Sequence, residues 1–206
     1  MIKVCGITNL SDALAATEYG ADALGFNFYR KSKRYIRPEA AATIIAAMPK
    51  RCTIVGVFVN ESRPAVEEIV RTCDLDIVQL HGEETPSDAP VSVRLWKGYR
   101  VEEGFEMSTV ADCFPQAEAL LLDGPAGAEF GGAGVPFLWR VALGAKRKIV
   151  LAGGLAADNV QAAMLAAKPW GVDACSRLES SPGIKDHGKM KEFIRAARAA
   201  QVEACL

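Results

Sequence analysis

The fold is decided by a pattern that first appears in residues 2–28, IKVCGITNLSDALAATEYGADALGFNF. The nearly unbroken apolar run at Ile2–Cys5 predicts a strand that is buried on both faces, and Ala23–Phe28 predicts a second strand of the same kind. Between them, Ser11–Tyr19 has helical periodicity and opens on a serine, which favours a helix N-cap. A strand, a helix and a strand in this order predict a parallel βαβ unit.

The same alternation continues along the whole chain. Six further strands are predicted at Thr53–Val59, Ile77–Leu80, Val91–Trp96, Ala119–Leu122, Lys148–Leu151 and Val172–Cys175. Six further helices are predicted at Pro38–Ala47, Pro64–Thr72, Val101–Asp112, Phe137–Leu143, Ala157–Ala167 and His187–Ala200. The stretch between His81 and Val91 carries two prolines and little periodicity, so the helix after the fourth strand is short or missing.

This pattern predicts an α/β fold, a single (β/α)8 barrel that spans residues 1–206. A doubly wound open sheet shares the alternation and is the alternative. Its fingerprint, G-x-G-x-x-G after the first strand, is absent because the first turn reads CGITNL. The closed barrel is therefore favoured.

Composition narrows the classes of partner. The 206 residues include 24 Lys and Arg against 25 Asp and Glu, a net charge of −1, which disfavours nucleic acid as the main partner. No apolar run approaches the roughly 18 residues of a membrane-spanning helix, and the N-terminus lacks the features of a signal peptide. Six cysteines without a C-x-x-C pair indicate reduced thiols. We therefore expect a cytoplasmic protein with no membrane partner.

A barrel brings the carboxyl ends of its strands together at one mouth, where chemistry is expected. Cys5 ends the first strand and could act as a base or nucleophile, although a small buried residue is an equally valid reading. Asp123 follows a buried strand and suits a general acid if the rim is dry, or else a turn aspartate. Arg34, in the basic loop KSKRY, could bind a carboxylate, although such loops are usually only solvated.

Glycine-bearing turns after the seventh and eighth strands predict a phosphate site. The first is AGGL at 152–155 with Gly153 and Gly154, and the second is DACSRLE at 173–179 with Asp173 and Ser176. His81 lies near two glutamates but no repeated ligand pattern completes a metal site, so a hydrogen-bonded rim residue is expected there. No Walker or Rossmann motif is present.

Several motifs together resemble one enzyme family. They are K-x-C-G-I-T at 3–8, S-K-R-Y at 32–35, G-V-F-V-N at 56–60, Q-L-H-G at 79–82, G-G-x-G at 131–134, G-G-L at 153–155 and P-G-x-K-D at 182–186. From residue 2 to about residue 195 the chain resembles the phosphoribosylanthranilate isomerases of tryptophan biosynthesis. The first, second and fourth of these motifs are highly specific in combination.

The resemblance implies an Amadori rearrangement of N-(5-phosphoribosyl)anthranilate, a small phosphorylated substrate, to the corresponding aminoketose without cofactor or metal. It implies that Asp123 is the general acid, that Cys5 is the general base and that Arg34 holds the anthranilate end. It places the phosphate on amides around Gly154 and Ser176. The substrate-binding residues that it adds are His81, Asp173, Gly153 and the lid residues Gly131 and Gly132. It leaves a monomer or a homodimer open.

The chain departs from that family where Cys175-Ser176-Arg177 stands in place of Ser-Ser-Gly. Arg177 either narrows the phosphate site or, as we predict, adds a direct charge to it. A second enzyme reading is a related phosphosugar barrel, such as an indole-3-glycerol-phosphate synthase or a dual-substrate histidine/tryptophan isomerase. A third reading is a non-catalytic barrel that binds a phosphorylated metabolite or a partner protein.

Overall fold

A computed structural model describes residues 1–49, 52–102, 104–124, 137–142 and 145–203. Eight parallel strands form a closed barrel in which each strand pairs with the next and the eighth pairs with the first. The strands are β1 Ile2–Cys5, β2 Ala23–Asn27, β3 Thr53–Phe58, β4 Ile77–Leu80, β5 Arg94–Arg100, β6 Ala119–Asp123, β7 Lys148–Ala152 and β8 Gly171–Ala174. The prediction of a (β/α)8 barrel is confirmed, and the open sheet is excluded because the described strands close on themselves.

Helices follow most of the strands. They are α1 Leu10–Glu18, α2 Pro38–Ala46, α3 Arg63–Cys73, α4 Met107–Val110, α5 Phe137–Ala142, α6 Val160–Ala167 and α7 His187–Glu203. Between β4 and β5 the chain makes only a 3-10 turn, Pro86–Asp88, so the prediction of a short or missing helix there is confirmed. After β8, a second 3-10 turn at Ser176–Leu178 leads into a small hairpin of β9 Glu179–Ser181 and β10 Ile184–Lys185.

The fifth strand lies later in the chain than predicted, at Arg94–Arg100 instead of Val91–Trp96. Its second half alternates polar residues with a glycine and so lacks the apolar run of a buried strand. The burial of Lys97 is made possible by Glu84, whose Oε2 lies 2.7 Å from the Lys97 Nζ. A contact between distant parts of the chain therefore sets the position of this strand.

Two helix predictions also need correction. The predicted helix at Val101–Asp112 is reduced to the single turn Met107–Val110, and Gly104 before it has a φ of +87°, outside the helical region. The N-cap of α1 is Asn9 rather than Ser11, because the Asn9 Oδ1 accepts a hydrogen bond of 2.9 Å from the backbone N–H of Asp12.

The strands place one set of side chains inside the barrel and the other set against the helices. The apolar interior consists of Ala23, Val55, Ile77, Trp96, Ala119, Leu121, Val150 and Ala152. Three polar side chains of the inward-facing set, Lys3, Gln79 and Asp173, are buried with them. Buried polar groups need hydrogen-bond partners, and we look for the partners of these three residues at the carboxyl ends of the strands.

None of the helices in the described ranges is long and apolar enough to cross a membrane.

Candidate active site

A cavity of about 350 Å³ opens at the carboxyl ends of the barrel strands, and we call it the mouth cavity. Nine of the eleven predicted site residues line it: Cys5, Arg34, His81, Asp123, Gly153, Gly154, Asp173, Ser176 and Arg177. The other two, Gly131 and Gly132, lie outside the described residues, so the predicted lid remains a prediction. Because the carboxyl ends of the barrel strands meet at one mouth, residues up to 172 positions apart in the chain lie in one cavity.

Cys5 lies at the end of β1, only 8% exposed, with its thiol against a glycine of the neighbouring strand. Cys5 and Gly25 are register partners, and a Cβ on Gly25 would lie 2.6 Å from the Cys5 Sγ. That distance is far inside van der Waals contact, so glycine at this position gives the thiol its room.

Beside Cys5, a buried ion pair crosses from β1 to β8. The Lys3 Nζ lies 3.0 Å from the Asp173 Oδ2, and both side chains are almost completely buried. Burial opposes the charge on Lys3, but Asp173 and Cys5 together raise its pKa. Burial raises the pKa of Asp173 to about 7, which Lys3 partly opposes and the nearby Cys5 reinforces. Lys3 therefore remains a fixed cation next to the thiol.

The Cys5 thiol is the more acidic member of a pair with Cys175. A hydrogen bond from the Cys175 side chain is the main cause that holds the pKa of Cys5 well below its ordinary value; burial opposes this, and Lys3 and Lys185 support it. The same hydrogen bond, together with burial, raises the pKa of Cys175. The lowered pKa favours the charged form of Cys5, whereas Cys175 favours its thiol form, whose Sγ also lies 3.8 Å from the Glu179 Oε1.

Asp123 lies at the end of β6 and contacts His81. The His81 Nε2 is 3.4 Å from the Asp123 Oδ2, and the His81 Nδ1 is 3.0 Å from the Gln79 Nε2. If the Gln79 amide donates to Nδ1, the imidazole proton is on Nε2 and points towards Asp123. Glycine at position 98 leaves space for the His81 ring, because a Cβ on Gly98 would clash with that ring.

The expectation of a dry rim at Asp123 is not met by the described residues. The Asp123 side chain is 36% exposed, whereas the buried carboxyl of this site is that of Asp173. Sequence reasoning identified the position of Asp123 at the strand end but could not establish its exposure, which depends on the loops around it.

Arg34 is held in place by Glu179, a residue that was not among the predicted site residues. The Arg34 Nε lies 3.1 Å from the Glu179 Oε1, and the Arg34 Nη2 lies 2.6 Å from Oε2. The Lys185 Nζ contacts the same carboxylate at 3.2 Å. Burial opposes ionisation of Glu179, but Arg34 and Lys185 outweigh it and lower its pKa. Within the described chain, the Arg34 Nη1 is left for a ligand in the mouth cavity.

The loop after β7 lines another part of the mouth cavity. Gly153 and Gly154 have φ angles of +90° and +65°, which favour glycine, and a Cβ on Gly153 would clash with the backbone of Gly124. Arg177 lies over this loop: its Nη1 is 3.2 Å from the Gly154 carbonyl oxygen, and its Nη2 is 2.7 Å from the Asp158 Oδ2. The charge of Arg177 is thus partly matched by a carboxylate.

Sequence reasoning assigned no site role to five polar or sulfur-bearing residues that surround the candidate base and the arginine: Lys3, Gln79, Cys175, Glu179 and Lys185. One signal was available, since a lysine inside the apolar strand IKVC must find a partner. Among the described residues, no group of three or more His, Cys, Asp or Glu side chains is arranged to hold a metal ion.

Comparison with known proteins gives one consistent result. A family model described as N-(5'phosphoribosyl)anthranilate (PRA) isomerase matches residues 2–196. The N-(5'-phosphoribosyl)anthranilate isomerase of Solibacter usitatus is 51% identical over 200 residues, which cover 97% of this chain and 98% of the relative.

Solved structures agree with that family. Monomers of the dimeric phosphoribosylanthranilate isomerase from Thermotoga maritima superpose with a TM-score of 0.84 at 38% identity, covering 96% of this chain and 98% of that one. A phosphoribosylanthranilate isomerase in complex with reduced 1-(o-carboxyphenylamino)-1-deoxyribulose 5-phosphate gives a TM-score of 0.81 at 36% identity, with the same coverage of both chains.

Proposed function

The chain belongs to the N-(5'-phosphoribosyl)anthranilate isomerases, enzymes of tryptophan biosynthesis, and from that premise we propose that Asp123 is its general acid and Cys5 its general base. The reaction is an Amadori rearrangement of N-(5-phosphoribosyl)anthranilate to 1-(2-carboxyphenylamino)-1-deoxyribulose 5-phosphate. It needs one proton delivered to the ring oxygen of the sugar and one proton removed from C2′. Cys5 and Asp123 line one cavity and end strands that lie three apart in the closed barrel, which suits that division.

The acid step falls to Asp123. A protonated Asp123 gives its proton to the furanose ring oxygen as the C1′–O bond breaks, which leaves an open-chain Schiff base. His81 lies 3.4 Å from this carboxyl and is itself contacted by Gln79, so it orients the acid and stabilises the carboxylate that the step produces.

The base step falls to Cys5. Its thiolate removes the C2′ proton of the Schiff base, and the resulting enolamine tautomerises to the aminoketone. The surroundings of Cys5 supply what such a base needs, since the Cys175 hydrogen bond and the cations Lys3 and Lys185 all favour the charged sulfur. This arrangement of charges is the single observation that supports the assignment most strongly.

The binding residues complete the proposal. The free Nη1 of Arg34 binds the anthranilate carboxylate, while Glu179 holds the guanidinium in orientation. The phosphate lies on the backbone amides of Gly154 and Ser176, with Arg177 able to turn from Asp158 towards it. The bound ligand of the solved relative is itself a phosphorylated carboxyphenylamino sugar, which agrees with an anion at each end of the cavity.

The test is a fluorescence assay in which substrate is generated in situ and loss of the anthranilate signal is followed without added metal. Cys5→Ser and Asp123→Asn should each lower kcat at least ~100-fold, the lower range for a lost acid or base. Cys113→Ser and Asp112→Asn make the same chemical changes at exposed residues outside the mouth cavity and should leave kcat unchanged. If the two site variants are as active as the wild type, the assignment is wrong.

We further propose a single-domain enzyme that acts in the cytoplasm, where phosphorylated biosynthetic intermediates are made and used. Both a monomer and a homodimer are compatible with the fold, and the relative from Thermotoga maritima is dimeric. Light scattering on a gel-filtration column distinguishes the two states directly.

A further inference from the structure

We propose that Cys5 and Cys175 form a peroxide-responsive dithiol, in which oxidation joins the two sulfurs as a disulfide and silences the enzyme reversibly. The bond itself depends only on the placement of the two residues. The loss of activity rests in addition on the proposed function, in which Cys5 is the base.

The strand register brings the two cysteines side by side. β1 and β8 are adjacent, and their register partners are Lys3 with Asp173 and then Val4 with Ala174. Cys5 is the next residue of β1 and Cys175 directly follows the end of β8, so a continuation of this register places the two side by side, on the side of the Lys3–Asp173 pair. Neighbouring strands lie about 4.8 Å apart, which is within the Cα separations of about 4.4–6.8 Å that a disulfide spans.

The two side chains also interact, since this interaction is the main cause both of the lowered pKa of Cys5 and of the raised pKa of Cys175. Each sulfur lies against a glycine, which leaves space for it: a Cβ on Gly25 would lie 2.6 Å from the Cys5 Sγ, and a Cβ on Gly6 would lie 2.9 Å from the Cys175 Sγ. The Lys185 Nζ lies 3.8 Å from the Cys175 Sγ and adds a cation to the pair.

An oxidant can reach this pair. Both cysteines line the mouth cavity, and Cys175 is partly exposed whereas Cys5 is buried with 8% of its surface exposed. A thiolate is the form that attacks a peroxide, and the lowered pKa of Cys5 favours that form. Burial instead raises the pKa of both Cys52 and Cys73 to about 11, so these two thiols react more slowly.

The chemistry balances with hydrogen peroxide as the oxidant. The Cys5 thiolate attacks one peroxide oxygen, the O–O bond breaks, and the released hydroxide takes a proton to become water, which leaves Cys5 as a sulfenic acid. The Cys175 sulfur then attacks the Cys5 sulfur; the S–S bond forms, the S–O bond breaks, and a second water leaves with the proton of Cys175. Two thiols are oxidised while one peroxide is reduced to two waters, and a dithiol reductant reverses the bond by exchange.

The proposed disulfide depends on the cysteine at position 175. A serine there, as the resemblance would have placed it, could hydrogen-bond to Cys5 but could not close a disulfide. Cys5 would then have no neighbouring thiol to intercept its sulfenic acid, which would proceed to irreversible forms under excess peroxide.

The experiment treats the whole protein with hydrogen peroxide, blocks free thiols with iodoacetamide and maps the peptides without reduction. We expect a cross-linked peptide that joins Cys5 to Cys175, a fall in isomerase activity of at least tenfold in step with the link, and recovery of both on addition of dithiothreitol. Cys113→Ser, which removes an exposed cysteine, should form the link as the wild type does.

Cys175→Ser and Cys175→Ala, each compared with its own untreated sample, should form no link and should not recover fully after excess peroxide. Complete oxidation of Cys5 in the wild-type chain without the link would overturn the dithiol. A link that forms while activity persists would uphold the dithiol and overturn the assignment of Cys5 as the base. The two failures are therefore distinguishable.

Discussion

The substitution Gly25→Ala tests whether the placement of the Cys5 sulfur governs the reaction. The new Cβ would lie 2.6 Å from the Cys5 Sγ and 3.2 Å from the Cys5 Cα, so it reaches both the thiol and the backbone that carries it. Non-bonded heavy atoms pack at about 3.5–4.0 Å, and relief of this contact therefore needs a movement of about 1 Å. A misplacement of that size at a reacting group lowers the rate by about 100-fold.

The same substitution should destabilise the barrel to a moderate degree. Overpacking of a well-packed interior costs about 1–3 kcal/mol. For a chain of this length, each kcal/mol lowers the midpoint of thermal unfolding by about 2–4 °C, so Tm should fall by about 2–12 °C. Calorimetry or circular dichroism gives the Tm, and the fluorescence assay at 25 °C gives kcat of the folded variant.

Gly56→Ala is the matched control, because it overpacks the next strand without touching the mouth cavity. Its Cβ would lie 2.5 Å from the Leu75 Cδ1 and 2.8 Å from the Phe58 Cε2, both apolar atoms in the layer between barrel and helices. We expect a similar loss of Tm with kcat unchanged. If folded Gly25→Ala keeps kcat within about threefold of wild type, or if both variants lose kcat equally, the reasoning about Cys5 is refuted.

Three further outcomes are expected. Cys175→Ala removes the side-chain interaction that contributes most to the low pKa of Cys5, so the pKa of Cys5 should rise. Since a base works only above its pKa, the acidic limb of the pH profile of kcat/KM should move to higher pH. Cys175→Ser should move this limb less. Asp158→Asn frees Arg177 from its carboxylate partner, so KM should fall about threefold, or ~0.6 kcal/mol, and an unchanged KM would argue against a phosphate contact by Arg177. Asp12→Ala should lower the free energy of unfolding in urea by about 2–3 kcal/mol, because this buried carboxylate accepts hydrogen bonds from β10 and α7.

The barrel could be predicted from the sequence because strands that are buried on both faces consist of nearly continuous apolar runs. Seven of the eight strands are recognised in this way with small errors at their ends. β5 is displaced because the burial of Lys97 depends on Glu84, 13 residues earlier, and no local pattern records that pairing. α4 is shorter than predicted because Gly104 interrupts the segment Val101–Asp112 and glycine disfavours a helix.

Cys5, Asp123 and Arg34 could be predicted as members of one cavity because parallel strands end at the same face. Their electrostatic surroundings could not. The partner of Lys3 is Asp173, 170 residues later, and the partner of Arg34 is Glu179, 145 residues later. Spacing along the chain carries no information about such pairs, whereas the closure of the barrel from β8 to β1 places them in contact.

Although the net charge of the chain is close to zero, three charged or ionisable groups at the mouth, Lys3, Cys5 and Asp173, influence one another. Asp173 and the Cys5 thiolate share Lys3 as their cation, and the negative sulfur is one of the causes that raise the pKa of Asp173. Since the interaction between two charges is mutual, an ionised Asp173 must in turn oppose the thiolate. Burial of Asp173, which favours its protonated form, thus favours the charged form of Cys5. A carboxyl buried beside a lysine is a poor source of stability, but here it supports the charge on which the proposed base depends.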